Sequence, residues 1–525
     1  MSGAWLDVHS AVSAEPPLEL SEEAPPLEPS WGPLRPDELG SAYVAALDPG
    51  VRARHGRHYT PNALATQLWE MARAGLGRRH YGMELTGLVR DPACGSGALL
   101  LPALREHLAA SVATDPQIVL AGLPSRIEGI DADPAAVWIA NVVLAAEMLP
   151  TLMRVPAARR RPLPALARVG DGLAPAPPAL AVLMNPPYGR VRLSATDRER
   201  FADVLYGHAN LYAIFMAAAH QSLDDAGVLA ALVPTSFTAG RYFEPLRRLL
   251  AGDTRMQSIR FVEDRSGVFG SVLQETCLAV FTRKRVRRTT VTSAGSRVSE
   301  IATIATPRGG RPWVLPRRAD LAPIAAGSST LPLRLSDLGW RVTTGPLVWN
   351  RRRDDLHQHP ARSRRPVLWA ADLDGGRIHR DPARAALRYL TIRDDNDARL
   401  MVLTEPSVLV QRTTSPEQRR RLVSAVLSPE TLTDWGGGVV VENHVNVLRP
   451  RQEGPAISAQ LLGRLLATTT LDSLTRCISG SVALSAYELE ALPFPSLEVL
   501  DQLSVLPDDE FEAAVRGLYH LDGSR

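Results

Sequence analysis

The sequence predicts an α/β chain with a mostly parallel sheet covered by helices on both faces. Two observations carry this expectation. From about residue 51 to 285, short apolar runs alternate with alanine-rich helical stretches, as successive strand–helix units do. The apolar runs also feed loops of special composition: a Gly-rich turn after the first, acidic residues after the second, and two prolines after a later one.

Residues 1 to about 40 come first. They are rich in Pro, Glu and Ser, as in Glu15-Pro16-Pro17 and Glu22-Glu23-Ala24-Pro25-Pro26. Such a segment buries little, and residues 1–45 are expected to be a mobile acidic extension. A small arm docking on the body is the less favoured alternative. No basic run followed by an apolar core opens the chain, and no apolar stretch long enough to span a bilayer is expected.

The first run, Leu88-Val89-Arg90, leads into Asp91-Pro92-Ala93-Cys94-Gly95-Ser96-Gly97 and then the apolar Ala98–Leu101. Glycines there let a ligand approach the backbone, and a helix N-terminus favours carboxylate or phosphate. Asp91, at the strand end, suits an ammonium group. The second run, Ile127–Ile130, ends at Asp131-Ala132-Asp133-Pro134 and enters a helix through Ala135 to Glu147. A carboxylate at the second strand tip is where doubly wound folds hold a ribose diol, and Asp131 has that place. The run Ala181–Met184 ends at Asn185-Pro186-Pro187-Tyr188. Two prolines stiffen the loop and remove two backbone donors, leaving carbonyls free to accept. The Asn185 side-chain oxygen and the Pro186 carbonyl are then placed to converge on one amino group, with the Tyr188 ring as a flat face for a base. The run Val228–Val233 ends at Pro234. The lysine–arginine cluster at 284–288 and the Thr/Ser run to 300 mark a change of domain, so 286–330 is read as a transition.

Composition removes several classes. The 525 residues are 45% hydrophobic and 22% charged, a globular balance with room for more than one domain. Net charge is +3 from 59 basic and 56 acidic residues, and Lys284 is the one lysine. No lysine completes a phosphate-binding GKS or GKT loop or the usual carboxylate–lysine nuclease centre. A fused nuclease is also not expected, because little chain precedes the first motif. Cys94, Cys277 and Cys477 are far apart, neither a disulfide framework nor a zinc spacing, which fits a reducing cytoplasm and no metal.

These motifs resemble, in kind and order, the gamma-class (TaqI-like) adenine-N6 DNA methyltransferases of type II restriction–modification systems. The likeness covers about residues 51–285. It implies a Rossmann-like S-adenosylmethionine-dependent methyltransferase domain, 46–285, followed by a C-terminal α+β target-recognition domain, 331–525. In that likeness, His58-Tyr59-Thr60-Pro61 is similar to the motif closing over the methionine end of S-adenosylmethionine, giving Tyr59 and Thr60 as cofactor residues. Asp91, Ala93, Gly95 and Gly97 are similar to the cofactor loop. Asp131 matches the ribose-binding acid. Gly170-Asp171-Gly172 resembles the motif whose Asp, here Asp171, accepts from the cofactor adenine amine. Asn185, Pro186, Pro187 and Tyr188 match the catalytic motif. Gly267-Val268-Phe269-Gly270 resembles the segment whose Phe, here Phe269, stacks with Tyr188 on an extruded base; Phe269 is equally placed to be a core residue. Asn210–Phe215 and Pro234–Phe237 resemble a following helix and strand end, without a chemical role.

The implied reaction follows from charge. The adenine amine is a poor nucleophile because its lone pair is delocalised into the ring. Acceptors at Asn185 and Pro186 favour a pyramidal nitrogen, and transfer is a direct in-line displacement driven by positioning and electrostatics. The target base leaves the duplex to reach the pocket. No cysteine follows a proline in this loop, which argues against cytosine-C5 chemistry.

The C-terminal half carries arginine clusters at 351–353, at Arg362 with Arg364-Arg365, and at 419–421, near Trp349, Trp369 and Trp435. They are phosphate contacts or a solvated basic face, in equal measure. Gln411–Thr414 and Glu442–Asn446 carry side chains that read base edges or, slightly favoured, pair inside the domain. The DNA-binding candidates are Arg351, Arg352, Arg412, Arg419 and Arg420. Double-stranded DNA is the expected partner, a separate restriction endonuclease the functional one, and the protein is expected to act as a cytoplasmic monomer. Two other functions stay open: methylation of RNA or of a protein glutamine, and a catalytically silent DNA-binding module.

Overall fold

The apolar runs become strands whose ends gather the motifs. In this computed structural model they are Val89–Asp91 (β1), Ile127–Asp131 (β2), Ala167–Val169 (β3), Ala179–Met184 (β4), Leu223–Pro234 (β5), Arg255–Val262 (β6), Thr276–Thr282 (β7) and Arg288–Ala294 (β8). The structure describes residues 36–46, 60–77, 80, 82–262, 275–295, 297–380, 386–414, 418–451, 454–478, 480 and 483–520. The chain divides into two units. One holds Met1–Phe237, Tyr242–Ser299 and Thr306–Gly310; the other holds Thr238–Arg241, Glu300–Ala305 and Arg311–Arg525.

The eight strands above lie wholly in the first unit, in the order β8-β6-β7-β5-β4-β1-β2-β3. Pairing is parallel from β5 through β4, β1 and β2 to β3. The strand β7 is antiparallel to both β5 and β6. Every residue of β4 is buried, as a strand covered on both faces requires. The chain leaves β1 for β2 and β3 on one side, then returns to lay β4 on the other. That reversal is the switch point at which open α/β sheets bind ligands, beyond the strands' C-terminal ends. It brings the exits of β1, at Asp91, and of β4, just before Asn185, onto neighbouring strands, with Arg90 opposite Val182.

The helix Pro134–Met153 starts where the sequence sets a stop for β2. Asp133 caps it, its side chain accepting from the Ala135 amide, and Pro134 fills the first turn. Asn141 ties it to the sheet, accepting from the Leu166 and Ala167 amides and donating to the Ala167 carbonyl. This helix is long and apolar enough to cross a membrane, counter to the expectation that no such stretch exists. Its apolar side chains, Val137, Ile139 and Leu144 among them, form part of the buried core.

The end of the acidic extension is not loose. Pro36–Ala46 is a helix whose Leu39 and Tyr43 pack against the core, and the Tyr43 hydroxyl donates to Asp133 Oδ2 at 2.9 Å. The expected transition, 286–330, is also built structure: Arg288–Ala294 is a sheet strand and Ala322–Ser328 a helix.

The second unit is α+β. An antiparallel sheet runs Trp340–Thr344, Val445–Pro450, Ser407–Gln411, Ser424–Leu427. A mixed sheet includes Arg364–Leu368 parallel to Val439–Val441. Helices Ala459–Leu466, Thr469–Ile478 and Asp508–Tyr519 close its main core with Trp340 and Phe494.

Candidate active site

The Gly-rich loop is held in place by the two strand-end carboxylates. Asp131 Oδ2 accepts from the Gly95 amide and Oδ1 from its own neighbour Asp133, both at 2.9 Å. Asp91 Oδ1 accepts from the Ala93 amide at 3.0 Å. Gly95 and Gly97 have φ of 51° and 82°, the left-handed region that other residues enter at a cost. The cradle has no spare room behind it. A Cβ on Gly172 would lie 1.8 Å from the Pro92 carbonyl oxygen, so the 170–172 turn rests directly on this loop. Asp171 is exposed at that turn, its Oδ1 accepting from the Leu173 amide at 2.9 Å.

Asp91 is 1% exposed, and burial pushes its carboxyl up to about 8, with the neighbouring Asp131 charge adding to the effect. An arriving cation would favour the ionised form of this carboxyl, in competition with its proton.

At the β4 exit the Asn185 amide is gripped at both ends. Its Nδ2 donates to Thr60 Oγ1 at 2.9 Å, and its Oδ1 accepts from the Tyr188 hydroxyl at 3.0 Å. The same hydroxyl lies 3.2 Å from the Leu232 carbonyl oxygen on β5. Pro186 is buried, and Pro187 and Tyr188 are half-buried. Burial raises the Tyr188 hydroxyl well above the ordinary phenol range, with Cys277 a lesser cause. The Tyr188 ring meets Tyr212 edge to face, centroids 6.1 Å apart at 82°. Tyr212 in turn stacks on Phe243 at 5.1 Å and places its hydroxyl 2.9 Å from Ser236 Oγ.

The structure thus brings Thr60, Asn185 and Tyr188 into one hydrogen-bonded group, and Asp91, Ala93, Gly95 and Asp131 into another, on adjoining strands. Tyr59 and Phe269 lie outside the described residues. Tyr212 and Ser236 went unassigned at the sequence level, where Asn210–Phe215 reads as an ordinary buried helix. The only available signal was a tyrosine hydroxyl on a fully buried face, which needs a partner.

The arginines of the second unit sort differently from their sequence clusters. Arg352 is locked between Asp397 and Asp355, and hydrogen bonding to Asp397 raises it above its ordinary value. Arg420 donates to the Ala467 and Thr468 carbonyls, and Arg412 to the Asn443 carbonyl at 3.3 Å. Arg351 and Arg419 are exposed. A cleft of about 650 Å³ is lined by Arg362, Arg365, Arg393, Arg399 and Arg449, with Asp394 and Asp395 on its wall. Of these, only Arg362 and Arg365 belong to clusters that stand out in the sequence.

The family described as Eco57I restriction-modification methylase matches residues 181–269, a stretch that includes the β4 exit loop. The type II methyltransferase M.PstI of Providencia stuartii is 27% identical over 63% of this chain and 68% of its own length. The type II methyltransferase M.BsuBI of Bacillus subtilis is 25% identical over 61% of this chain and 66% of its own. Among solved structures, the type IIL restriction–modification enzyme MmeI, in a complex with DNA, matches 93% of this chain and 78% of its own. Its TM-score is 0.52 at 14% identity, a likeness of fold. The fold is Rossmann-like, and in sequence the chain is similar to the methyltransferases of type II restriction–modification systems.

Proposed function

We propose that this protein is a sequence-specific DNA adenine-N6 methyltransferase, protecting host DNA in the cytoplasm from a separate cognate endonuclease. One observation carries the reading. An asparagine amide, followed by two prolines and a tyrosine, is fixed at the exit of β4, beside the strand whose end holds a buried carboxyl. Its similarity to named type II methyltransferases supports the same reading.

S-adenosylmethionine, when bound, supplies the methyl group. Asp91 would take its ammonium, the Gly-rich 93–97 loop would let it approach the backbone, Asp131 would hold the ribose, and Asp171 and Thr60 would stand at its two ends. Asn185 Oδ1 and the Pro186 carbonyl accept from the target amine. That turns the nitrogen lone pair out of the ring plane and toward the methyl donor, and positioning then supplies the rate. The Tyr188 ring stacks on a base that has left the duplex, and Phe269 is proposed as its second face. Arg351, Arg419 and the arginine-lined cleft contact DNA phosphates. Arg352, Arg412 and Arg420, occupied within their own unit, act by shaping that surface. One copy of the chain suffices for these roles.

The Asp91 carboxyl gives the reading a pH dependence. Folded, it holds its proton up to about pH 8; its ordinary value is 3.8. Its contribution to stability is therefore full below 3.8 and is lost as pH rises toward 8. A bound ammonium reverses this by favouring the ionised form. Affinity for S-adenosylhomocysteine, measured by titration calorimetry between about pH 6 and about pH 7.5, should rise with pH by up to about tenfold per unit. Asp91→Asn should bind weakly and show a flat profile. A flat profile in the wild type counts against the ammonium site.

The function itself is tested by single-molecule sequencing of modified bases in DNA from a host expressing the gene. A methylated adenine in one fixed sequence context is the expected result. Genomic DNA without any new adenine mark contradicts the proposal.

A further inference from the structure

We propose that the hydroxyls of Thr60 and Tyr188 are a pair of positioning groups that fix which way the Asn185 amide faces, a task for the Tyr188 hydroxyl separate from that of its ring. The proposal rests on Asn185 being the acceptor for the target amine.

An amide carries an oxygen and an NH2 group of nearly equal size, and a half-turn exchanges acceptor for donors. Only one orientation is useful to an incoming amine. With the oxygen toward it, the amine is held; with the NH2 toward it, donor meets donor. Here the Nδ2 end donates to Thr60, 125 residues away in sequence, while the Oδ1 end accepts from Tyr188. A carbonyl oxygen has two lone pairs, so acceptance from Tyr188 leaves Oδ1 able to accept from an amine as well.

The Tyr188 hydroxyl is well suited to this. Its one proton has two acceptors in reach, and the bond to Asn185 Oδ1, at 3.0 Å, is shorter than that to the Leu232 carbonyl, at 3.2 Å. Burial keeps that proton in place throughout the ordinary pH range. The ring cannot swing the hydroxyl away easily, because Tyr212 abuts it edge-on and is itself stacked on Phe243. Thr60 is 7% exposed, so its hydroxyl does not trade this bond for water at no cost.

The test uses full-length protein, duplex DNA containing the target sequence, and steady-state kinetics. Tyr188→Phe keeps the stacking ring and removes only the hydroxyl. Its kcat should fall by about tenfold, the rate equivalent of one hydrogen bond, with KM for DNA and the dissociation constant for S-adenosylhomocysteine unchanged. Thr60→Val should lower kcat similarly, and Thr60→Ser, which keeps the hydroxyl, should retain most of the rate. A purely structural role would move stability and both constants together, and it would not be rescued by serine. Wild-type transfer accompanied by full kcat in Tyr188→Phe overturns this inference alone. Wild-type protein that transfers no methyl to any DNA overturns the function reading and this inference together.

Discussion

Asn185→Ala loses methyl transfer by about 100- to 1,000-fold or more, as expected when a preorganised group facing the reacting atom is deleted. Cofactor affinity stays close to that of the wild type. The split arises from where the contacts lie. Asn185 leaves β4 and is held by Thr60 and Tyr188, whereas the Gly-rich loop hangs from the ends of β1 and β2 through Asp91 and Asp131. Removing the amide leaves those carboxylates untouched. It also leaves the Tyr188 hydroxyl its second acceptor on Leu232, so the ring keeps its place against Tyr212. The Thr60 hydroxyl loses its partner, at a cost of about 1 kcal/mol in stability. Radiolabelled methyl transfer to duplex DNA, beside calorimetric binding of S-adenosylhomocysteine, separates the two effects. Wild-type turnover by this variant would remove Asn185 from the chemistry.

Asp131→Ala fails in the opposite way, by losing the cofactor. Its carboxylate accepts from the Gly95 and Asp133 amides and so anchors the Gly-rich loop; in the proposed reading it also holds the ribose. Two charge-assisted bonds to a diol, each about 1.5–3 kcal/mol, make affinity fall on the order of 100-fold or more. Loosening of the loop adds to this. At saturating cofactor, much of the transfer rate should return, which Asn185→Ala cannot show. An unchanged dissociation constant contradicts the assignment.

Much of the proposed site can be read from local sequence, because its residues lie where a strand stops. β4 is one unbroken apolar run, so its end and the Asn185 loop are visible. The same holds for Asp131, which is followed by the Asp133 cap and Pro134. Partners far apart in the chain leave no such trace. The Thr60–Asn185 bond spans 125 residues, and nothing near either one announces it. The Tyr212 hydroxyl looks like any other buried helix position until Ser236 is placed beside it. Arginine clusters are the least legible of all. Arg351 and Arg352 are neighbours in sequence, yet one is exposed and the other is locked to Asp397, 45 residues on. The docked helix Pro36–Ala46 was hidden by the proline-rich composition around it, although Leu39 and Tyr43, an apolar pair four positions apart, lie on its buried side.

The most direct measurement follows the methyl group itself. The intact protein is incubated with methyl-labelled S-adenosylmethionine and duplex DNA, the DNA is digested to nucleosides, and the label is located by chromatography. All of it should travel with N6-methyldeoxyadenosine, at a rate about 100-fold or more lower when Asn185→Ala replaces the wild type. Label on a cytosine, or transfer confined to RNA or to a protein glutamine, contradicts the account.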